Sequence, residues 1–232
     1  MRNNFDLQLE LLNREMVEMG AMCEHALTII ADILQSGKSE RIAEIDQVEE
    51  QIDRMESNIE QHCMRLLLQQ QPVARDLRLI SATLKMITDM ERIGDQTHDI
   101  AEILSYETII QGDRGDHRNA NLLKMVQTVR EMVTGSIDAY VRKDLVLVED
   151  VMQMDDIVDD LFDLERKTLI QEIAMSPQNG ELIMDQLMIA KYFERLGDHA
   201  VNIAEWVRYS ITGKHERLDE ETLLKLKHQL CN

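Results

Sequence analysis

The chain has 232 residues, a length that allows one large domain or two small ones. Hydrophobic residues make up 44% of it, enough for a core, whereas aromatic residues make up only 3% and methionine contributes 15 residues. Glycine and proline number 9 and 2, too few for the many turns that a β-sheet fold requires. The composition therefore predicts an all-α protein with helices packed through Leu, Ile and Met.

The net charge of −19 comes from 44 acidic and 25 basic residues. Such a surface repels phosphates, which excludes nucleic acids and anionic membranes as main partners and favours cations or basic protein surfaces. No segment is long and apolar enough for a signal peptide or a membrane span, so we expect no membrane insertion. The three widely spaced cysteines, Cys23, Cys63 and Cys231, predict reduced thiols and a cytoplasmic protein.

Apolar residues at alternating spacings of three and four predict six amphipathic helices. Pro72 suits the first turn of the third helix, and Pro177 lies in the hairpin before the sixth. The predicted helices run from about Phe5 to Leu34, from an N-cap at Ser39 to the break at Gln71 and Pro72, from Pro72 to at least Ala101, over about 121–141 and 145–174, and from the hairpin at 176–180 to about Ile211.

The second half of the chain repeats the first. Glu-Arg-Ile-Gly-Asp at 91–95 matches Glu-Arg-Leu-Gly-Asp at 194–198 at an offset of 103 residues, and acids upstream match at an offset of 106. The repeat predicts two tandem antiparallel three-helix bundles related by a pseudo-two-fold axis. We assign the first bundle to 1–110, a polar linker to 111–120, the second bundle to 121–212 and a C-terminal tail to 213–232.

Each repeat carries a stripe of acids on its third helix. Glu91, Asp95 and Asp99 follow one another at four-residue intervals, which keeps them within about 80° of arc on one helix face. The second repeat has Glu194 and Asp198, with Asn202 at the third position. Like charges stacked in this way repel one another, so a metal ion, a nearby base or solvent must offset the repulsion. The arginine that follows the glutamate in each motif lies about 100° away from it around the helix.

A second set of acids faces each stripe when the helices pair across the proline hairpins. Antiparallel pairing brings Glu49 and Asp53 opposite the first stripe, and Asp155 and Asp159 opposite the second, with no change of register. Carboxylates converging from two helices suit Mg, Mn or Fe. The glycine inside each motif costs about 1 kcal/mol in a helix interior, which a close approach of the two helices would explain. A solvated acidic face without metal is the alternative.

Two further features have more than one interpretation. His98, three residues after Asp95, could join the first site or lie elsewhere on the helix. Arg75 and Arg78 open the third helix and are candidate partner-binding residues, while Asp76 between them suits the helix dipole. The sequence contains no nucleophile with catalytic partners and no glycine-rich phosphate loop, so we predict no enzymatic activity.

The segment Gln-Pro-Val-Ala-Arg-Asp-Leu-Arg at 71–78, followed by the two Glu-Arg-x-Gly-Asp motifs, resembles the PhoU family. The resemblance covers about 5–211. It implies a fold of two three-helix bundles, and metal binding through the acidic motifs, as iron clusters or as Mn or Mg. Carried over, the metal positions are Glu91, Asp95, Asp99, Glu194 and Asp198. Asn202 departs from the acidic pattern and implies a weaker second site.

The resemblance also implies a biological role. Members of the family negatively regulate phosphate uptake and the phosphate-starvation response, acting with the phosphate ABC transporter, through its ATPase subunit, and with a phosphate-sensing histidine kinase. A homodimer is expected on the same basis. Two alternatives remain open from the residues alone: a carboxylate-bridged di-metal redox protein of ferritin type, and a metal-free adaptor whose acidic face binds a basic partner.

Overall fold

The computed structural model describes residues 2–37, 39–70, 72–105 and 119–214. Every regular element over these residues is helical, as the composition predicts. The long helices are α1 (Arg2–Ser36), α2 (Ile42–Gln70), α3 (Ala74–Ser105), α4 (Ala120–Arg142), α5 (Leu145–Met175) and α6 (Gly180–Thr212). Short 3₁₀ turns at Ser39–Arg41 and Pro177–Asn179 precede α2 and α6.

One helix start differs from the prediction. Pro72 precedes α3 instead of lying in its first turn, because the carbonyl of Val73 accepts the first helical hydrogen bond, from the amide of Leu77 at 2.9 Å. Most of the predicted linker at 111–120 and of the predicted tail at 213–232 lies outside the described residues, although Ala120 already belongs to α4.

Local signals explain how the second bundle makes its turns. Lys143 ends α4 in the left-handed conformation, with φ of 55°, and Asp144 then caps α5 by accepting a hydrogen bond from the amide of Val146 at 2.8 Å. Gly213, with φ of 76°, ends α6. These short connections force consecutive helices to run antiparallel.

The two bundles, α1–α3 and α4–α6, pack against each other through α3 on α6 and α1 on α4. Both pairs run antiparallel. Along α3 and α6, Asp89 meets Asn202 and Asp99 meets Tyr192. Along α1 and α4, Gly20 lies beside Ile137 and Thr28 meets Arg130. Gln96 and His199 are equivalent positions of the two repeats, so their contact marks the pseudo-two-fold axis. The core is continuous across both bundles, and α2 and α5 lie on its outer sides.

Candidate metal centre

The first carboxylate cluster lies between α2 and α3. Glu49, Asp53 and Asp95 each place a carboxylate oxygen within 4.8 Å of the others. Glu91 belongs to the same group, because the charges of Asp95, Asp53 and Glu56 all act on its carboxyl. Pairing across the hairpin therefore brings together the acids that the sequence placed opposite each other.

The glycines of the two motifs allow the helices to approach closely. A Cβ on Gly94 would lie 3.2 Å from Cδ1 and Cγ2 of Ile52, a buried core residue of α2. A Cβ on Gly197 would instead lie 3.3 Å from Oδ1 of Asp155, a member of the second cluster. In both repeats the glycine sits where the acid-bearing helices meet.

The first cluster is electrostatically strained. Burial, followed by the neighbouring carboxylates, raises the pKa of Glu49, Asp53 and Glu91 above their ordinary values. His98 acts in the opposite direction on the pKa of Glu49, and its Nε2 lies 3.2 Å from Oδ1 of Asp46. His98 thus lies at the edge of the cluster.

Arg92 contacts the first stripe although its backbone position lies about 100° from that of Glu91 around the helix. Its Nη1 lies 3.0 Å from Oδ2 of Asp95 and its Nε lies 3.4 Å from Oε2 of Glu91. Arg92 reaches both carboxylates because a guanidinium on a long, flexible stem extends well beyond the angular position of its own Cα. Both of its partners are on its own helix, and Arg92 itself is more than half exposed.

The second cluster lies between α5 and α6 at the equivalent positions. Burial and then the charge of Asp159 raise the pKa of Asp155 to about 6, with further contributions from Asp198 and Glu194. Burial and then Glu194 also raise the pKa of Asp159 and of Asp198. Lys191 forms an ion pair with Glu194 and counteracts part of this repulsion.

The third positions of the stripes turn toward the interface between the bundles. The side-chain amide of Asn202 donates a hydrogen bond to Oδ1 of Asp89 at 3.2 Å. Asp99, its counterpart, is hydrogen-bonded to Tyr192 of the other bundle. Burial, then the charge of Asp99 and then this hydrogen bond raise the pKa of the Tyr192 phenol. Among the described residues, neither Asn202 nor Asp99 belongs to the compact group of oxygens between α2 and α3.

A polar seam between α3 and α6 was not predicted from the sequence. His199 contacts Oδ1 of Asp89 through Nδ1 at 2.9 Å, and the side-chain nitrogen of Gln96 through Nε2 at 2.9 Å. The repeat alignment contained the signal, because it pairs Gln96 with His199, Asp89 with Tyr192, and Asp99 with Asn202.

The two arginines at the start of α3 have different surroundings. Arg75 is exposed. Arg78 is half-buried and lies over the end of α6, where its Cδ, Nε and Cζ would all be 3.6 Å from a Cβ on Gly213. Arg75 is therefore the more accessible of the two for a partner.

The first cluster fits a hard or borderline cation by the chemistry of its donors. All of its converging ligand atoms are carboxylate oxygens, the donors that Mg²⁺, Mn²⁺ and iron accept. Oε2 of Glu91 is buried and has no hydrogen-bond partner, although Nε of Arg92 lies within ion-pair distance. A cation between α2 and α3 would give that oxygen a partner. It would also relieve the carboxylate repulsion that, after burial, raises the pKa of Glu49, Asp53 and Glu91.

Known proteins of one family are similar to the chain over most of its length. The PhoU domain model matches residues 16–104 and 122–207. A phosphate-specific transport system accessory protein PhoU homolog of Clostridium acetobutylicum is 34% identical over 221 residues, covering 94% of this chain and 99% of the relative. The homolog of the same name from Synechocystis is 33% identical over 216 residues, covering 93% and 94%.

Solved structures show the same fold. The crystal structure of PhoU from Pseudomonas aeruginosa has a TM-score of 0.84 at 29% identity and covers 90% of this chain and 100% of that one. The phosphate transport system regulatory protein PhoU from Streptococcus pneumoniae, at 23% identity, has a TM-score of 0.82 and covers 92% and 100%. Among the described residues, no helix has the length and apolarity to cross a membrane.

Proposed function

The chain belongs to the PhoU family, and on that premise we propose that it is a non-enzymatic, cytoplasmic negative regulator of phosphate uptake and of the phosphate-starvation response. Its relatives are named accessory or regulatory proteins of the phosphate transport system, which supports a regulatory role. Its proposed partners are the ATPase subunit of the phosphate ABC transporter and a phosphate-sensing histidine kinase. The proposed working form is a homodimer.

Metal binding at the first carboxylate cluster is part of this proposal. The observation that carries it is the convergence of oxygens from Glu49, Asp53 and Asp95 within 4.8 Å, with Glu91 beside them. A bound Mn, Mg or Fe ion would supply positive charge that neutralises these carboxylates and links α2 to α3. Asp155, Asp159, Glu194 and Asp198 form the corresponding proposed site of the second repeat.

Partner recognition is proposed for a basic part of the surface, at the start of α3. Arg75 is an exposed base on a chain of net charge −19, and no arginine stands at the corresponding position 178, which is Gln. We therefore propose that only the first bundle binds an acidic surface of a partner, through the positive charge of Arg75 at the start of α3. Arg78 would contribute to the same contact.

Elemental analysis of the purified chain tests the metal proposal. The protein is prepared under air and without oxygen, and metal content is measured per chain for the wild type, for Asp53→Asn with Asp95→Asn, and for the control Glu131→Gln. Glu131 is an exposed acid of α4, so its loss changes the charge without touching the cluster. We expect metal in the wild type and the control and its loss in the double variant. Metal-free wild type in both preparations would favour the adaptor instead.

A genetic test addresses the regulatory role separately. Deleting the gene should derepress phosphate-starvation genes in phosphate-rich medium, and the wild-type chain should restore repression. The Arg75→Ala variant should restore it less well than the wild type at equal protein level. Unchanged expression after the deletion would refute the proposed regulation whatever the metal content.

A further inference from the structure

The two carboxylate clusters differ in how their charge is neutralised. In the second repeat, Lys191 precedes Glu194 by three residues on α6 and its ammonium forms an ion pair with the Glu194 carboxylate. The first repeat has Thr88 at the equivalent place, three residues before Glu91. Thr88 is exposed, carries no charge and donates its hydroxyl to the carbonyl of Leu84 at 3.3 Å.

Lys191 acts on carboxylates of both helices. Its charge opposes the raised pKa of Asp198 on α6 and that of Asp159 on α5. The ammonium also lies 5.3 Å from the ring centre of Phe162 on α5, a cation–π contact that holds it over the gap between the helices. Lys191 therefore sits where an added cation would contact the same carboxylates.

Arg92 does not have this position in the first cluster. It pairs with Glu91 and Asp95, which belong to its own helix. The oxygens of Glu49, Asp53 and Asp95 still converge within 4.8 Å, whereas the described residues of the second repeat contain no group of three ligand atoms that close together.

We propose that Lys191 is the built-in counter-ion of the second cluster, so that the chain binds a divalent cation more tightly at the first cluster than at the second. This inference rests on the proposed metal binding and specifies which of the two sites binds more tightly. The residue three positions before the glutamate of each motif, Thr88 or Lys191, determines how readily that cluster binds a cation.

Competition for the same carboxylates gives the physical reason. A tethered ammonium reaches Glu194 without the loss of translational freedom that a free ion undergoes on binding. A divalent ion entering the second cluster must displace that ammonium and then remain close to it, where like charges repel. Because the second cluster is partly exposed and screened by salt, we expect Lys191 to lower its affinity for a divalent ion roughly tenfold or more without abolishing binding.

Exchanging the two residues tests the proposal. Full-length protein is stripped with chelator and titrated with Mn²⁺ by calorimetry and by electron paramagnetic resonance of the free ion, which count sites and affinities independently of any activity. The wild type should bind an ion at the first cluster at least roughly tenfold more tightly than at the second. Lys191→Thr should strengthen binding at the second cluster by a similar factor, and Thr88→Lys should weaken binding at the first roughly tenfold or more. Lys124→Thr, which removes an exposed lysine of α4, should match the wild type.

The outcomes separate this inference from the metal proposal. Two equivalent sites in the wild type, an unchanged second site in Lys191→Thr, or unchanged affinity in Thr88→Lys would each overturn the role of Lys191 while leaving metal binding intact. No binding by the wild type or by Lys191→Thr would overturn metal binding itself and the inference with it. Helix content by circular dichroism establishes that each variant is folded, and Lys191→Met replaces Lys191→Thr if the β-branched residue unfolds α6.

Discussion

The two carboxylate clusters share a backbone frame and differ in the side chains around it. Both have two antiparallel helices joined by a hairpin, four acids in the same register and a glycine at the point of closest approach. Behind Gly94 lies the core residue Ile52, whereas Asp155 lies beside Gly197. Arg92 neutralises carboxylates on only one helix of the first cluster, whereas Lys191 acts on carboxylates of both helices of the second. Duplication has kept the helix geometry, while single side chains set the electrostatics of each copy.

The largest expected effect is the difference in stability, up to about 2 kcal/mol, between the two variants that add one methyl group to a motif glycine. Alanine in place of glycine favours a helix by about 1 kcal/mol. In Gly94→Ala the new Cβ must push the buried Ile52, and overpacking of this kind costs about 1–3 kcal/mol, so we expect a net loss of about 1 kcal/mol. In Gly197→Ala the nearest atom is the end of the Asp155 carboxylate, which can rotate away, so we expect a gain of up to about 1 kcal/mol.

Urea unfolding followed by circular dichroism measures this pair. Gly180→Ala is the control, because a Cβ at that first residue of α6 meets no heavy atom within 4 Å. Gly180 is at the end of the helix and not in its interior, so we expect a gain in stability smaller than the roughly 1 kcal/mol of an interior position. Effects of the same sign and size at Gly94 and Gly197 would show that the two repeats pack alike at their glycines, in contradiction to the different neighbours of the two residues.

A smaller effect is expected from neutralising Asp155 in metal-free protein. Its pKa is about 6 in the folded chain against an ordinary 3.8, so above pH 6 the folded state holds an ionised, repelled carboxylate. Asp155→Asn removes that penalty, and we expect about 1 kcal/mol of added stability at pH 7 after screening. Because the wild-type group is protonated in the folded state as the pH falls, the advantage should fade between pH 6 and pH 4. Urea midpoints measured at pH 7, 5.5 and 4 test this, and a constant advantage would contradict it.

The sequence predicted the fold well because the signals for it are local. Apolar spacing, two prolines and the repeat offset define six helices whose ends agree with the structure within a few residues, and the hairpins then dictate which acids face each other. The wrong placement of Pro72 concerns only where the first helical hydrogen bond forms. Metal binding and the second site remain predictions.

The surroundings of the acids were harder to predict because they depend on side-chain reach and on contacts between the bundles. A four-residue step advances 400° around a helix, so Asp99 has rotated about 80° from Glu91 and turns toward α6. Arg92 reaches its neighbours through a long stem that helix-face angles ignore. Lys191 was detectable in the sequence, because a base three residues before an acid is a standard helical ion pair.

The smallest effect concerns the third position of the second stripe. From the sequence, Asn202 is expected to weaken the second site because it replaces an acid, whereas in the structure its amide lies 3.2 Å from Asp89. Asn202→Asp should therefore leave Mn²⁺ affinity within about twofold of the wild type. It should also lower stability by roughly 0.5 kcal/mol, since a hydrogen bond becomes a contact between two carboxylates.

Salt and a neutral variant distinguish repulsion from the simple loss of a hydrogen bond. Asp89 keeps its contact with Nδ1 of His199 at 2.9 Å in either variant, so the seam does not lose all of its polar partners. Asn202→Ala removes the donor without adding a charge, and its stability should depend little on ionic strength. The cost of Asn202→Asp should shrink in 1 M NaCl, where charges are screened within about 3 Å. If Asn202→Asp instead strengthens Mn²⁺ binding at the second cluster, residue 202 faces the metal. Its assignment to the interface between the bundles would then be wrong.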